Sequence, residues 1–239
     1  MSGTFIHGDC RSLIETLDDE SIDLVLTDPP YVGVVKETWD QREVFNIQLI
    51  HELYRVMKPS ASIYVWCGIG EKSQSLMRWW PMLDEYFHFK DLITWKKRRG
   101  IGMRKGWLYT REEIVWFVKN NKKFIWNKEH QYSEEPNMFK KGFSGHKCKS
   151  DFKRITNVWT DVPEKLRRSE KNSSHATPKP GKALSRIIQC HTKPGDLVFD
   201  PFAGSGSTLS AAKSLGRRYL GIEIDHDIYS ESARRLLHE

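Results

Sequence analysis

DLVFDPFAGSGST, residues 196–208, passes from an apolar, β-rich run through a turn of small residues into a helical pattern, and this order decides the fold. Asp196 to Asp200 is expected to be a buried strand and Thr208 to Leu215 a helix. Asp200, Phe202, Gly204, Gly206 and Thr208 then lie in or beside the connection, where small residues let a ligand approach the backbone and the helix amides. The next strand, Arg218 to Ile224, brings Glu223 to its end, 19 residues after Gly204, where a carboxylate can accept hydrogen bonds from ribose hydroxyls. Leu209 stands where a dinucleotide fingerprint needs its third glycine, and no Gly-Lys-Ser/Thr follows the turn. An adenosine-containing ligand without a pyrophosphate fits best.

Outward from this unit the alternation continues. Lys182 to Cys190 reads as a helix before it, and a final helix follows it. Near the start, Arg11 to Leu17 is helical in pattern, and Ser21 to Thr27 is a short apolar run stopped by Asp28-Pro29-Pro30-Tyr31. Phe45 to Met57 places its apolar residues along one helical face, and Ser62 to Trp66, Leu92 to Trp95 and Ile114 to Val118 read as strands. The last two are separated by a basic, glycine-punctuated stretch from Lys96 to Arg111. From about Asn120 to Asn172 the periodicity fades. The pattern predicts a Rossmann-like α/β fold, a mostly parallel twisted sheet with helices on both faces, with ligands beyond the carboxyl ends of the strands. Residues 1–119 and 173–239 are expected to form one catalytic domain around a variable basic insertion at 120–172.

With 239 residues and 38% hydrophobic content, one sizeable core with a modest elaboration is expected. Residues 90–171 hold 22 Lys and Arg against 10 Asp and Glu, a net of +12 that leaves −5 for the rest of a chain whose total is +7. This segregation suggests a catalytic body and a polyanion-facing segment, or else a solvated basic face. Cys10, Cys67, Cys148 and Cys190 form no Cys-x-x-Cys pair, so neither a metal site nor a disulfide framework is expected. The opening residues resemble no signal peptide and no run of about 18 apolar residues occurs, so a cytoplasmic location is expected.

Asp28-Pro29-Pro30-Tyr31 is the sharpest chemical signal. Two prolines after a buried strand fix an acid beside an aromatic ring. Asp28 and the Pro29 carbonyl can accept hydrogen bonds from one amino group, and Tyr31 can stack on a planar base.

Together with Phe202-Ala203-Gly204-Ser205-Gly206, this tetrapeptide resembles the β-class of AdoMet-dependent DNA amino-methyltransferases, in which the catalytic motif precedes the target-recognition region and the AdoMet motif comes last. Three further stretches extend the likeness: His175-Ala176-Thr177-Pro178-Lys179-Pro180 with Leu184, Gly221-Ile222-Glu223-Ile224-Asp225, and Gly8-Asp9. The resemblance implies transfer of a methyl group from S-adenosyl-L-methionine to N6 of a flipped-out adenine in duplex DNA, the alternative being N4 of cytosine. Asp28 at the first motif position favours adenine.

Carried over by position, Asp28, Pro29, Pro30 and Tyr31 would be catalytic. Asp200, Phe202, Gly204, Gly206 and Thr208 would line the AdoMet site, Glu223 would hold the ribose, Asp9 would meet the adenine, and Lys179 would support the methionine side. No metal is expected. Arg98, Arg99, Arg104 and Lys105 are candidate DNA contacts by composition, and Trp107 and Tyr109 are candidate wedges, with core packing the ordinary alternative for either aromatic. A homodimer is expected, and a cognate restriction endonuclease is a candidate partner. Competing classes are an RNA or protein methyltransferase and a non-catalytic DNA-binding relative.

Overall fold

The computed structural model describes residues 3–31, 43–101, 105, 107–138, 150–164 and 178–238, with backbone alone at 99–101. Its strands are β1 (Thr4–His7), β2 (Ile22–Thr27), β3 (Met57–Cys67), β4 (His88–Ile101), β5 (Tyr109–Val118), β6 (Tyr132–Pro136), β7 (Phe152–Arg154), β8 (Val158–Trp159), β9 (Leu197–Asp200) and β10 (Arg218–Glu223). The helices are α1 (Cys10–Ile14), α2 (Ile47–Val56), α3 (Ser75–Tyr86), α4 (Gly181–His191), α5 (Ser207–Ser214) and α6 (His226–His238). Eight strands form one sheet in the order β1-β10-β9-β2-β3-β5-β4-β8, and β6 and β7 pair separately. Strands β1 through β3 along that order are parallel, whereas β5 is antiparallel to both β3 and β4.

The strand alternation decides which helices go where. Ile63, Val65 and Cys67 of β3, with Val115 and Phe117 of β5, face the core under α1, α2 and α3. Tyr64 and Trp66, Ile93 and Trp95, and Ile114 and Trp116 face the opposite side, covered by α4 and α5. All of β2 is buried, as a central strand covered on both faces must be. Asn46 caps α2 by accepting the Leu49 amide at 3.0 Å, and Leu49, Ile50, Leu53 and Val56 form its buried stripe. Burial of each of those side chains stabilises the fold by about 1.5–3 kcal/mol.

Several boundaries differ from the sequence reading. Helix α1 ends at Ile14 rather than Leu17, because the Thr16 and Leu17 amides turn back in tighter three-residue bonds to Leu13 and Ile14. Strand β1 lies at the sheet edge with a half-exposed pattern that gives no apolar run. Helix α3 carries Pro81 in its interior, which hides its buried face of Leu76, Trp79 and Leu83. The stretch from Lys96 to Arg111 does not simply separate two strands: β4 and β5 continue into it as a long hairpin, with Lys96 opposite Arg111 and Ile101 opposite Tyr109. Between residues 120 and 164, Phe124, Trp126 and Trp159 pack on the α4 side of the sheet, and β8 adds an edge strand beside β4.

His191 ends α4 inside this aromatic layer. Its Nδ1 lies 2.8 Å from the Ile125 carbonyl and so must donate, which leaves Nε2 to accept from the Tyr64 hydroxyl at 2.7 Å. Burial holds its pKa down to about 4, from 6.5 when exposed. The unfolded chain therefore binds the extra proton first, and stability falls as pH drops from about 6.5 toward 4. At pH 5 this residue is expected to cost about 2 kcal/mol relative to pH 7.5. Urea midpoints of the native chain and His191→Gln at both pH values measure the difference; an equal acid loss in both chains would contradict it.

Candidate active site

The carboxyl ends of neighbouring strands bring the distant motifs together. Strand β9 pairs with β2, so Asp200 and Asp28 emerge beside each other at one sheet edge. Thr27 Oγ1 donates to Asp200 Oδ1 at 2.8 Å across 173 residues of sequence, tying the two strand ends directly. On the other side of β9, β10 ends at Glu223, and the Gly8 amide bonds the Glu223 carbonyl at 2.8 Å, bringing the Gly8-Asp9 turn alongside. Asp9, Glu223, Asp200 and Asp28 therefore line one continuous edge. This is where open α/β sheets bind ligands.

The glycine turn is built for close approach. Gly204 and Gly206 have φ of +50° and +68°, a region that suits glycine, and Gly206 precedes α5 with no side chain capping the first amides. Glu223 Oε2 accepts the Gly204 amide and Oε1 the Asp225 amide, both at 2.8 Å, so the carboxylate anchors the turn and keeps further lone pairs. Burial raises the Glu223 pKa despite these amides. Burial also pushes Asp200 up to about 7, against hydrogen bonds from Thr208, Thr27 and the Phe202 amide. Phe202 packs against the core near Phe45. Asp9 caps α1 through the Arg11 amide at 2.9 Å, and its hydrogen bonds with the Arg11 guanidinium hold its carboxyl below the usual range.

The alternation of β2 places Asp28 two residues beyond Leu26, on the α4 side. Tyr31 Oη donates to Asp28 Oδ1 at 2.8 Å, while the Tyr31 carbonyl accepts from Arg78 at 2.8 Å. Lys179 Nζ lies 2.8 Å from Asp28 Oδ2 and 3.2 Å from Glu112 Oε2, and Glu112 Oε1 also takes Lys97. The sequence reading gave Lys179 to the methionine side; the structure sets it against the Asp28 carboxylate. Burial raises the Asp28 pKa, with Lys179 opposing, so the group is a stronger base than a free aspartate. For Lys179, burial opposes the charge, but Asp28 and Glu112 outweigh it and keep the ammonium protonated.

Glu112, Lys97 and Trp66 were missed from sequence. The available signal was strand parity, since Glu112 shares a face with Ile114 and Trp116, whereas Glu113 faces the other way. The long hairpin overhangs the same edge, because β3 stops at Cys67 opposite Glu113 while β4 and β5 run on. Arg98 and Lys105 are exposed on this arm, and Trp107 is 93% exposed, so core packing does not account for it. Tyr109 is partly buried. The Arg99 side chain, Arg104 and His175 to Thr177 lie outside the described residues. Among the described residues, no cluster of three His, Cys, Asp or Glu side chains could hold a metal, and no helix is long and apolar enough to cross a membrane.

A mostly parallel sheet with this glycine turn and acidic edge has the architecture of AdoMet-dependent methyltransferases, and solved structures confirm the likeness. The M1.HpyAVI–SAM complex superposes with a TM-score of 0.67 at 24% identity, covering 98% of this chain and 99% of that one. PvuII DNA methyltransferase (cytosine-N4-specific) gives 0.69 at 20% identity, covering 98% and 86%. The chain belongs to the N6/N4 DNA methylase family, whose family model, described as DNA methylase, matches residues 22–234. Type II methyltransferase M.HpaI of Haemophilus parainfluenzae is 31% identical across 99% of this chain and 74% of its own length. DNA adenine methyltransferase YhdJ of Escherichia coli K12 is 30% identical across 98% and 82%.

Proposed function

We propose that this chain transfers a methyl group from AdoMet to N6 of adenine flipped out of duplex DNA. The observation that carries the reading is the junction of β2 and β9, where the Thr27–Asp200 hydrogen bond fixes a catalytic carboxylate beside a glycine turn. The donor set fits AdoMet. The uncapped first turn of α5 after Gly206, the Glu223 carboxylate beside the glycine turn, and further acids at Asp200 and Asp28 suit a ligand with ribose hydroxyls and positive charge.

AdoMet supplies an electrophilic methyl group when bound. The target amino nitrogen is a poor nucleophile because its lone pair is delocalised into the base. Hydrogen bonds from its two N–H groups to Asp28 and to the Pro29 carbonyl favour a pyramidal nitrogen with an available pair. Asp28 can then take the proton released after transfer, which its raised basicity favours. Tyr31 Oη bonds Asp28 Oδ1, where an incoming amino group would take its place, and the Tyr31 ring would stack on the base. Extrusion of the base costs a few kcal/mol, supplied by binding of the duplex.

The net +12 of residues 90–171 and the overhanging hairpin support a grip on the DNA backbone. The 93% exposure of Trp107 on that arm supports a role for its ring in filling the gap left in the stack. Trp107→Ala is expected to lower methylation of duplex DNA about tenfold, about 1.4 kcal/mol of the few kcal/mol that unstacking costs, and to leave AdoMet affinity unchanged. On duplexes with the target base mismatched the loss is expected to shrink; equal losses on paired and mismatched targets would argue against the wedge.

Incubation with AdoMet and unmethylated genomic DNA, followed by nucleoside mass spectrometry, tests the main reading. N6-methyladenine is the expected product. N4-methylcytosine would keep the chemistry and overturn the base, and no modified nucleoside with AdoMet binding intact would overturn the DNA reading in favour of RNA or protein.

A further inference from the structure

We propose that Glu112 and Lys179 are positioning residues for Asp28: Glu112 shares the Lys179 ammonium with Asp28, which secures Oδ2 and leaves Oδ1 to receive the target amino group. This inference rests on the methyltransferase reading for its consequence, but the charge arrangement is testable without it.

The geometry is a chain of alternating charges at the mouth of the catalytic turn. Lys97, Glu112, Lys179 and Asp28 come from β4, β5, the loop before α4 and the end of β2, and sum to zero charge. Lys179 is flanked by Pro178 and Pro180, which restrict its backbone, and its side chain is only 11% exposed. Its ammonium also lies 4.9 Å from the Trp66 ring, which walls it from water. Such a cation cannot wander as a surface lysine does. Asp28 keeps 25% side-chain exposure, so the carboxylate is approachable while the lysine behind it is not.

Each member has a separate effect. A lysine paired with Asp28 alone would form a tight 1:1 ion pair and lower the basicity the reaction uses. Glu112 prevents this by drawing the same ammonium toward itself from 3.2 Å, and Lys97 in turn neutralises the second oxygen of Glu112. The other titratable groups facing Asp28 are Tyr31 from the catalytic turn, Cys67 from β3 and Asp200 from β9. Tyr31 and Cys67 are pushed up by burial and stay neutral, so they do not substitute for Lys179.

The test is a titration of the Asp28 carboxyl by 13C NMR in aspartate-labelled protein, assigned with Asp28→Asn, alongside the pH profile of kcat on genomic DNA. Lys179→Met is expected to move the Asp28 titration up by a unit or more and to raise the acid limb of kcat equally, with KM for AdoMet within about twofold. Glu112→Gln is expected to move the titration down and to lower kcat about tenfold at neutral pH. The charge-neutral double variant should titrate between Lys179→Met and the native chain, and it keeps the comparison available if the single lysine variant folds poorly. An unmoved Asp28 titration in Lys179→Met, or a loss of activity carried wholly by KM for AdoMet, would overturn the assignment. Because the NMR titration needs no substrate, a failure of DNA methylation in the native chain would leave this result separately readable.

Discussion

Asp28→Ala is expected to lower methyl transfer by about a thousandfold or more while AdoMet still binds. Two effects are lost together: the acceptor that favours a pyramidal amino nitrogen, commonly worth about 10² to 10³, and the base that removes its proton, commonly worth about 10² to 10⁴. The fold should tolerate the change. Lys179 keeps Glu112 as a partner at 3.2 Å, so no unpaired ammonium is left buried, and the glycine turn is anchored by Glu223 rather than by Asp28. Single-turnover transfer of labelled methyl groups, with AdoMet binding measured by calorimetry, separates the two quantities. A variant retaining more than a tenth of native activity would remove Asp28 from the chemistry.

Glu223→Ala is expected to act on the other half of the site. Its carboxylate holds the Gly204 and Asp225 amides, and the proposed ribose contact uses the remaining lone pairs. A charged hydrogen-bonding partner of this kind is worth about 1.5–3 kcal/mol, so AdoMet affinity should weaken on the order of 100-fold. Transfer at saturating AdoMet should fall much less, because Glu223 lies two strands away from Asp28 in the sheet. A large drop in saturated rate with unchanged affinity would place Glu223 elsewhere in the mechanism.

The strands that carry the motifs were legible because each is a short apolar run stopped by a turn: β2 by the Asp28 tetrapeptide, and β9 by the small residues after Asp200. The motif residues themselves follow from those two stops. Helix α3 escaped notice because Pro81 contradicts a helical interior, yet the buried face of Trp79 and Leu83 outweighs that penalty. The partnership of Lys179 with Glu112 was illegible for a different reason. The residues are 67 positions apart, and which of the adjacent Glu112 and Glu113 meets the lysine depends on strand register alone. Trp107 is the converse case, since tryptophan composition suggests a core and only the hairpin geometry puts it in solvent.

That hairpin is continuous with the strand positions that hold Lys97 and Glu112, and this ties its outer end to the acidic edge of the sheet. Trp95 pairs with Glu112, and the same two strands continue to Ile101 and Tyr109 with a shift of register after Lys96, five residues of β4 running against two of β5. For the proposed DNA contact, the reach of the arm is set by its shorter strand, β5, at about 3.4 Å per residue. Because β4 already carries extra residues there, it can absorb an insertion as a wider bulge, whereas one residue added to β5 would turn the positions beyond it to the opposite face of the sheet. A change of length is therefore better tolerated in the first strand of this arm than in the second.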